Sequence, residues 1–446
     1  MINDMNKVQT LINKISSNTE VVGIIGLGYV GLPLAVDFAQ AGVKVIGFDK
    51  SVVKVDQINR GENYIKDIRD ADLREVVDNI QLCATTNFSR IKECDALLIC
   101  VPTPLDKFRK PDMSYIESAC VSIGQNMKPG TFICLESTTY PTTTEDFMLP
   151  IIHRESGLKH GEDFWLAYSP ERVDPGNASF HTKNTPKVMG AITKEGLEIG
   201  EKIYSKAIDH LHLVSSPKVA EMVKILENTY RLVNISLINE LALLSGKMGI
   251  DIWEVIEAAK TKPFGFQAFY PGPGIGGHCI PLDPFYLEHI AKRYDFDLTM
   301  IHAAGHINMR MPHYMHIKIA TALNNHKKPV NGSKILFLGV AYKPDIDDAR
   351  ESPAVEIMHI VSKKGGKVSY HDPYIPSVET GYAVETGHAL TLYSVPLTAE
   401  TLHDADCVVL TTNHEVFDSE LIKEHAKLIV DLRNVMKEKA GNIYKL

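Results

Sequence analysis

The segment Gly26-Leu27-Gly28-Tyr29-Val30-Gly31 follows an apolar run, Val21-Val22-Gly23-Ile24-Ile25, and precedes a helical pattern from Leu32 to Ala41 that Gly42 stops. No other feature constrains the fold as much, because a strand before and a helix after turn a weak GxGxxG pattern into the opening of a βαβ unit. Gly26 permits a tight turn, Gly28 lets backbone approach a pyrophosphate, and Gly31 lets helix and strand pack closely. The helix N-terminus turns its positive end toward the phosphates. Asp49 closes a second strand, Val43 to Phe48, near the ~20-residue offset at which a carboxylate binds the adenosine ribose hydroxyls. A carboxylate there repels a 2′-phosphate. This predicts NAD rather than NADP, while Lys50 and Lys54 nearby speak for the phosphorylated form. Tyr29, Val30 and Lys54 complete the set expected around this end of the cofactor.

Strand and helix patterns go on alternating after this unit, with buried strands expected at Ala96 to Val101 and Thr131 to Leu135. Such alternation predicts an α/β fold with a parallel sheet and crossover helices. Val101-Pro102-Thr103-Pro104 and Glu136-Ser137-Thr138 each follow a strand of that sheet. Ligands of open α/β sheets lie beyond the carboxyl ends of the strands, so Thr103, Ser137 and Thr138 are expected along the nicotinamide half of the crevice. The first 19 residues read as a short amphipathic helix ahead of the sheet.

The character changes at Ser216-Pro217, a cap and a first-turn proline that open one helical pattern running to about Met248 before Gly249. A helix longer than ~25 residues between two α/β regions suits a domain connector and a dimer surface. Asp251 and Glu254 form a capping-box-like start for the next helix. From Lys334 alternation returns, with strands at Ile335 to Val340, Lys367 to Tyr370, Cys407 to Leu410 and Leu428 to Val430, and a helix after Ser352-Pro353. The chain therefore reads as three parts: an N-terminal Rossmann domain at 1–213, a central helical domain with one long helix at 214–312, and a C-terminal Rossmann-like α/β domain at 313–446.

Composition narrows the function classes. A chain of 446 residues with 44% hydrophobic and 23% charged content is that of a soluble globular protein. No long apolar run and no N-terminal signal pattern occurs in it, so a cytoplasmic location and no membrane partner are expected. A net charge of −8 without a basic block argues against nucleic acid as the main partner, though not against a phosphorylated metabolite held by local Lys and Arg. The seven cysteines form no CxxC pair and lie mostly in apolar segments, the pattern of reduced core residues. Nothing has the spacing of a zinc site, and no metal is expected.

Cys279 is the cysteine apart. It lies in Pro271-Gly272-Pro273-Gly274-Ile275-Gly276-Gly277-His278-Cys279-Ile280-Pro281-Leu282-Asp283, a loop dense enough in Gly and Pro to pass close to a ligand. A thiol there is either a small apolar residue in a tight turn or a positioned nucleophile. Lys224 and Asn228, four apart, share a face of the long helix. Val223, Ile225 and Leu226 around them are apolar, which suggests a helix buried on several sides whose Lys and Asn need a polar purpose. Glu171, in Ser169-Pro170-Glu171-Arg172, is a general base or a loop charge.

These motifs together resemble the UDP-glucose/GDP-mannose dehydrogenase family over nearly the whole chain. The resemblance rests on Gly26 to Gly31, Ser137-Thr138, Ser169-Pro170-Glu171, Lys224 with Asn228, Gly276-Gly277-His278-Cys279 with Asp283, Tyr342-Lys343-Pro344-Asp345 through Arg350-Glu351-Ser352-Pro353, and Asp431-Leu432-Arg433. It implies NAD-dependent oxidation of a nucleotide sugar at C6 in two hydride transfers. Cys279 would capture the intermediate aldehyde as a thiohemiacetal, and the second oxidation would leave a thioester hydrolysed by a water that Glu171 and Asp283 activate. Lys224 and Asn228 would stabilise the oxyanion, and Thr138 belongs to the same catalytic set. The resemblance further implies that Phe269, Tyr270, Gly276, Lys343 and Arg433 join Glu171, Lys224 and Asn228 in binding the UDP-sugar, that Arg350 reaches the cofactor, and that the long helix joins subunits into a homodimer or higher homo-oligomer.

Two departures bear on the sugar. Glucose-oxidising relatives carry Lys three positions after the nucleophile and a second Glu four positions after the first, where this chain has Leu282 and Pro175. The run from Lys262 through Tyr270 into the Gly-Pro loop looks instead like the branch acting on UDP-N-acetylglucosamine. UDP-N-acetylgalactosamine, UDP-N-acetylmannosamine and UDP-glucose stay open. Other readings are a silent NAD-binding regulatory protein, against which Cys279, Lys224, Asn228, Glu171 and Asp283 count, and a dehydrogenase of the 6-phosphogluconate type, in which Cys279 would be dispensable.

Overall fold

The structure, a computed structural model, describes residues 2–446 except 66–67, 105–110, 174–176, 178, 278, 279, 281, 282, 383–388 and 439. The described chain forms two compact units, one comprising residues 1–227 and 285–296 and the other residues 228–284 and 297–446.

In the first unit the described strands are β1 (Val21–Ile25), β2 (Lys44–Phe48), β3 (Leu82–Thr85), β4 (Ala96–Ile99), β5 (Thr131–Leu135), β6 (Phe164–Tyr168), β7 (Lys187–Ala191) and β8 (Leu211–Val214). They form one sheet in the order β3-β2-β1-β4-β5-β6-β7-β8, parallel throughout except for the antiparallel β6/β7 pair. The strands are short and largely apolar, and the central ones are covered on both faces. Side chains alternate between the two faces: Val22, Ile24, Ala96, Leu98, Phe132 and Cys134 pack on one, and Ile25, Leu97, Ile99, Ile133 and Leu135 on the other. Each such Val, Ile or Leu stabilises the fold by about 1.5–3 kcal/mol. The chain order reverses between β1 and β4, so the crevice of the sheet opens where the glycine segment leaves β1. The expected strand to Val101 ends at Ile99, since the turn at Gly26 lies against the Cys100 carbonyl and the chain departs from the sheet there. The N-terminal helix, Ile2–Ser16, buries Leu11 and Ile15 in the first of these cores.

The long helix spans Pro217–Met248, the bounds read from the sequence. It is not buried on several sides: Ala220, Ile225 and Leu232 point into protein, whereas Leu226 is 60% exposed, with Val219, Met222, Leu237, Leu241, Leu244 and Met248 also exposed. One polypeptide cannot cover every face of a 32-residue rod, and the apolar positions at three- and four-residue steps divide into a covered and an uncovered stripe. The helix Ile252–Lys260 is capped by Asp251, whose carboxylate accepts from Trp253 N–H at 3.0 Å.

In the second unit the described strands β9 (Lys334–Leu338), β10 (Lys367–His371), β13 (Cys407–Leu410), β14 (Ile429–Asp431) and β15 (Ile443–Lys445) form a parallel sheet ordered β10-β9-β13-β14-β15. β11 (Ser377–Tyr382) and β12 (Ala389–Tyr393) pair antiparallel beside it. Numbered within the sheet, the order is 2-1-3-4-5, the doubly wound pattern whose switch point lies between its first and third strands. Ile335, Phe337, Cys407 and Val409 pack on one face and Leu336, Leu338, Val408 and Leu410 on the other. Ser352 caps the helix Pro353–Lys363. The expected α/β architecture, with two doubly wound sheets and one long helix between them in the chain, is the one observed.

Candidate active site

The dinucleotide crevice is shaped by backbone. Gly26 sits at φ +94°, and a Cβ there would lie 2.7 Å from the Cys100 carbonyl oxygen, so only glycine makes this turn. A Cβ on Gly31 would meet the Gly26 carbonyl, which is the close approach the helix Gly31–Gln40 needs to start here. Beside Gly28 there is open space within 4 Å, room for a ligand along the backbone. Asp49 locks the turn from the end of β2: one carboxylate oxygen accepts from Leu27 N–H at 3.0 Å and the other from Ser51 N–H at 2.9 Å. Lys54 Nζ lies 4.0 Å from Asp49 and Tyr64 donates to the Leu27 carbonyl. Tyr29 is exposed and Val30 half-buried at the mouth of the turn. The open backbone, the helix start and the single carboxylate fit an NAD dinucleotide.

On the other side of the switch point, Ser137 Oγ donates to the Val101 carbonyl at 2.7 Å and joins the loops after β4 and β5. Thr103 is buried, and its carbonyl accepts from the Tyr286 hydroxyl. Thr138 is half-buried between Ser137 and a turn clamped from the long helix. That clamp, absent from the expected site, is Glu221. Its buried carboxylate accepts from Thr142 N–H, Thr144 N–H at 2.9 Å and the Thr144 hydroxyl at 2.7 Å. Burial pushes Glu221 up to about 7, against the lowering effect of those bonds.

Glu171 and Lys224 meet. Lys224 Nζ donates to the Glu171 carbonyl oxygen at 2.6 Å, while the Glu171 side chain accepts from Arg172 N–H and Val173 N–H at 2.7 Å each. Arg172 is turned away to Glu227 at 2.6 Å. Behind Glu171 stands Lys187, whose ammonium pairs with Glu136 at 2.6 Å; Glu136 also accepts from the Tyr204 hydroxyl. Burial pushes the Glu136 carboxyl up. Burial also opposes charge on Lys187, but Glu136 and Glu171 outweigh it and hold its proton on. Glu171, Lys187, Arg172 and Thr185 line a narrow surface recess.

In the second unit, Asn228, one turn after Lys224, donates through Nδ2 to Asp283, which opens the helix Asp283–Ala291. Both side chains are buried. The Gly-Pro loop ahead of Asp283 is held by its main chain: Gly272 N–H donates to Asn239 at 2.9 Å, Ile275 N–H to Asn308 at 2.6 Å and Gly277 N–H to the Arg350 carbonyl at 3.0 Å. A Cβ on Gly276 would come within 2.7 Å of the Glu351 carbonyl oxygen and 2.8 Å of Tyr342, so the loop passes there only as glycine. His278, Cys279, Pro281 and Leu282, like Pro175, lie outside the described residues. Phe269 packs edge-on against Tyr230 in an open cleft of about 860 Å³ shared with Phe266 and Leu237. Tyr270 stacks on Trp253 and donates to Glu257 at 2.8 Å.

At the switch point of the second sheet, Thr412 Oγ1 donates to the Ala341 carbonyl at 2.6 Å, fixing the turn that leads to Lys343, which is half-buried. The buried pair of His414 and Asp372 braces the same turn: Asp372 accepts from Val340 N–H and Ala341 N–H, and His414 Nδ1 accepts from Asp345 N–H at 2.9 Å. Arg433 donates through Nε to the Thr411 carbonyl at 3.0 Å and has no carboxylate partner among the described residues. Burial lowers its guanidinium to about 10. Arg433 is thus a half-buried cation beyond the carboxyl ends of the second sheet's strands. Arg350 is exposed and ion-paired with Asp348 at 2.6 Å.

A glycine-turn dinucleotide crevice, followed by a second doubly wound sheet, is the arrangement of a nicotinamide-dependent oxidoreductase. Comparison with known proteins gives the family. Residues 20–208 match the NAD binding domain of the UDP-glucose/GDP-mannose dehydrogenase family, 218–310 its central domain and 336–438 its UDP binding domain. The UDP-N-acetyl-D-glucosamine 6-dehydrogenase of Pseudomonas aeruginosa is 33% identical over 95% of this chain and 98% of its own length. The UDP-N-acetyl-D-mannosamine dehydrogenase of Pyrococcus horikoshii is 34% identical over 94% and 96%. A solved structure of the P. horikoshii UDP-D-ManNAc dehydrogenase superposes with a TM-score of 0.85 at 32% identity, covering 95% of this chain and 98% of that one. The chain belongs to the UDP-glucose/GDP-mannose dehydrogenase family, NAD-dependent UDP-sugar dehydrogenases.

Proposed function

We propose that this enzyme oxidises the C6 hydroxyl of a UDP-N-acetylhexosamine, UDP-N-acetylglucosamine first among them, to the uronic acid in two steps. The observation that carries the reading is the buried bond between Asn228 and Asp283, which draws the long helix onto the segment directly after the Cys279 loop, 55 residues further along the chain. NAD, when bound along Gly26 to Gly31, supplies the hydride acceptor for both oxidations. Lys224 and Asn228 donate to the C6 oxygen as it gains negative charge, and donors fixed before the reaction cost no reorganisation. Cys279, as a thiolate, adds to the aldehyde and retains it as a thiohemiacetal, then as a thioester, while the cofactor is exchanged. Glu171 and Asp283 are the carboxylates that deprotonate the hydrolytic water.

For the other assigned residues we propose that Asp49 and Lys54, with Thr103, Ser137, Thr138 and Arg350, contact the cofactor. Arg433 and Lys343 would take the diphosphate and uridine end, and Phe269, Tyr270 and Gly276 the sugar side. Arg433 is supported by its lack of an anion partner. The domain division stays at 1–213, 214–312 and 313–446, and we assign the enzyme to the cytoplasm. A homodimer is supported by the exposed stripe Val219, Met222, Leu226, Leu237, Leu241, Leu244 and Met248, which a second copy would cover.

The acetamido sugar is supported by Leu282 and Pro175, which stand where glucose-oxidising members carry Lys and Glu, and by both relatives described above acting on UDP-N-acetylhexosamines. UDP-N-acetylmannosamine is the second reading, because the P. horikoshii relative named for it is as similar as the one named for N-acetylglucosamine. A panel of UDP-sugars followed by NADH absorbance separates them. We expect two NADH per sugar and the highest kcat/KM with UDP-N-acetylglucosamine. Equal rates with UDP-glucose would defeat the acetamido assignment, and a higher rate with UDP-N-acetylmannosamine would replace it.

A further inference from the structure

Lys187 opens β7 with its side chain only 5% exposed, between two carboxylates. Its ammonium lies 2.6 Å from Glu136 Oε2, 3.9 Å from Glu171 Oε2 and 3.4 Å from the Pro170 carbonyl. Glu136 directly follows β5, just before Ser137 and Thr138, and Pro170 directly precedes Glu171. One ammonium therefore ties the loop after β5 to the loop after β6. Stability alone does not ask for it, because apolar residues of similar volume commonly serve as well as a buried ion pair.

The geometry of Glu171 supplies the purpose. Its Oε1 is pinned by two main-chain N–H groups, which leaves Oε2 facing Lys187. The other ionisable groups near it are Glu136 from the end of β5, Asp37 from the helix Gly31–Gln40, Cys100 after β4, and Lys224 from the long helix. Lys224 gives its hydrogen bond to the Glu171 main chain and Arg172 gives its own to Glu227. Removing Lys187 would leave Glu171 Oε2 without its cation and Glu136 buried without its partner, so the carboxylate would no longer be held from both of its oxygens.

We propose that Lys187 is a positioning residue of the reaction: by tying the loop after β6 to Glu136 it fixes the Glu171 carboxylate for deprotonating the hydrolytic water. This rests on the reading of Glu171 as a base. The test is kcat and KM for UDP-N-acetylglucosamine oxidation in the wild type, Lys187→Met and Lys187→Arg, with thermal melts of each. For Lys187→Met we expect about tenfold loss of kcat from the misplaced carboxylate. The KM for NAD should stay within about twofold, and Lys187→Arg, which keeps the charge, should keep kcat within about threefold of wild type. In a Glu171→Gln background, Lys187→Met should cost nothing further in kcat.

A folded Lys187→Met enzyme with wild-type kcat overturns the proposal, as does an equal loss of kcat in the Glu171→Gln background. Should Lys187→Met not fold, the neutral pair Lys187→Met with Glu136→Gln is measured in its place, and a wild-type kcat there overturns the proposal equally. Absence of NADH formation by the wild type with every UDP-sugar is the distinct failure: it removes the reading of the site, and this inference with it.

Discussion

Lys224 spends one ammonium hydrogen bond, at 2.6 Å, on the main-chain carbonyl of Glu171. The cation thus holds the backbone from which the carboxylate projects and keeps two further protons to donate. The proposed base and the proposed oxyanion donor are thereby fixed to each other from residues 53 apart in the chain.

Removing that donor should show in turnover more than in stability. Lys224→Ala is expected to lower kcat by about 10²–10³, the cost of one preorganised oxyanion donor. The melt should fall by the worth of one hydrogen bond, about 1 kcal/mol. A kcat within threefold of wild type would remove Lys224 from the reaction.

Cys279→Ala should end net oxidation to the acid while leaving NAD binding intact, since the dinucleotide crevice is built around Gly26 to Gly31. Uronic acid formation by this variant, followed by NADH yield and product analysis, would show that the thiol is dispensable.

Glu221 makes stability fall with pH over a defined window. Its carboxyl rises from 4.5 to about 7 on burial, so between those values the folded chain binds more protons than the unfolded one. The stabilisation is complete below about pH 4.5 and lost as pH rises through about 7, on the order of 3 kcal/mol in all. Melts from pH 5 to 8 should fall more steeply for the wild type than for Glu221→Gln. Parallel slopes would mean that Glu221 is not the titrating group.

Arg433→Met separates a ligand receptor from a structural cation. Because Arg433 is half-buried with no carboxylate partner among the described residues, the ligand-free melting temperature should hold or rise. Calorimetric affinity for UDP should drop about 30-fold or more. A destabilised variant with unchanged UDP affinity would make Arg433 structural.

The two kinds of information divide cleanly in this chain. Strands β1 and β5, the long helix Pro217–Met248 and the glycine turn are legible because each rests on local chemistry: continuous apolar runs, a Ser-Pro start, a glycine stop, a fixed spacing. The pairing of Lys224 with Glu171 and of Asn228 with Asp283 is only half legible, as residue types without partners. Lys187, Tyr204 and Glu221 carry no local signal at all, and Glu136 only its place after a strand. Lys187 reads as the polar first residue of a strand, and only the antiparallel turn of β6 into β7 brings it beneath β5, 51 residues from Glu136. Apolar neighbours on the long helix suggested burial all round, yet which stripe is covered depends on the elements packed against it, and Leu226 is left outside. Sequence alone determined the cofactor turn, the order of elements and the residue types available for chemistry, since these depend on neighbours along the chain. Tertiary structure decided which charges are desolvated and which partner offsets each, because burial and Coulomb energy depend on neighbours in space.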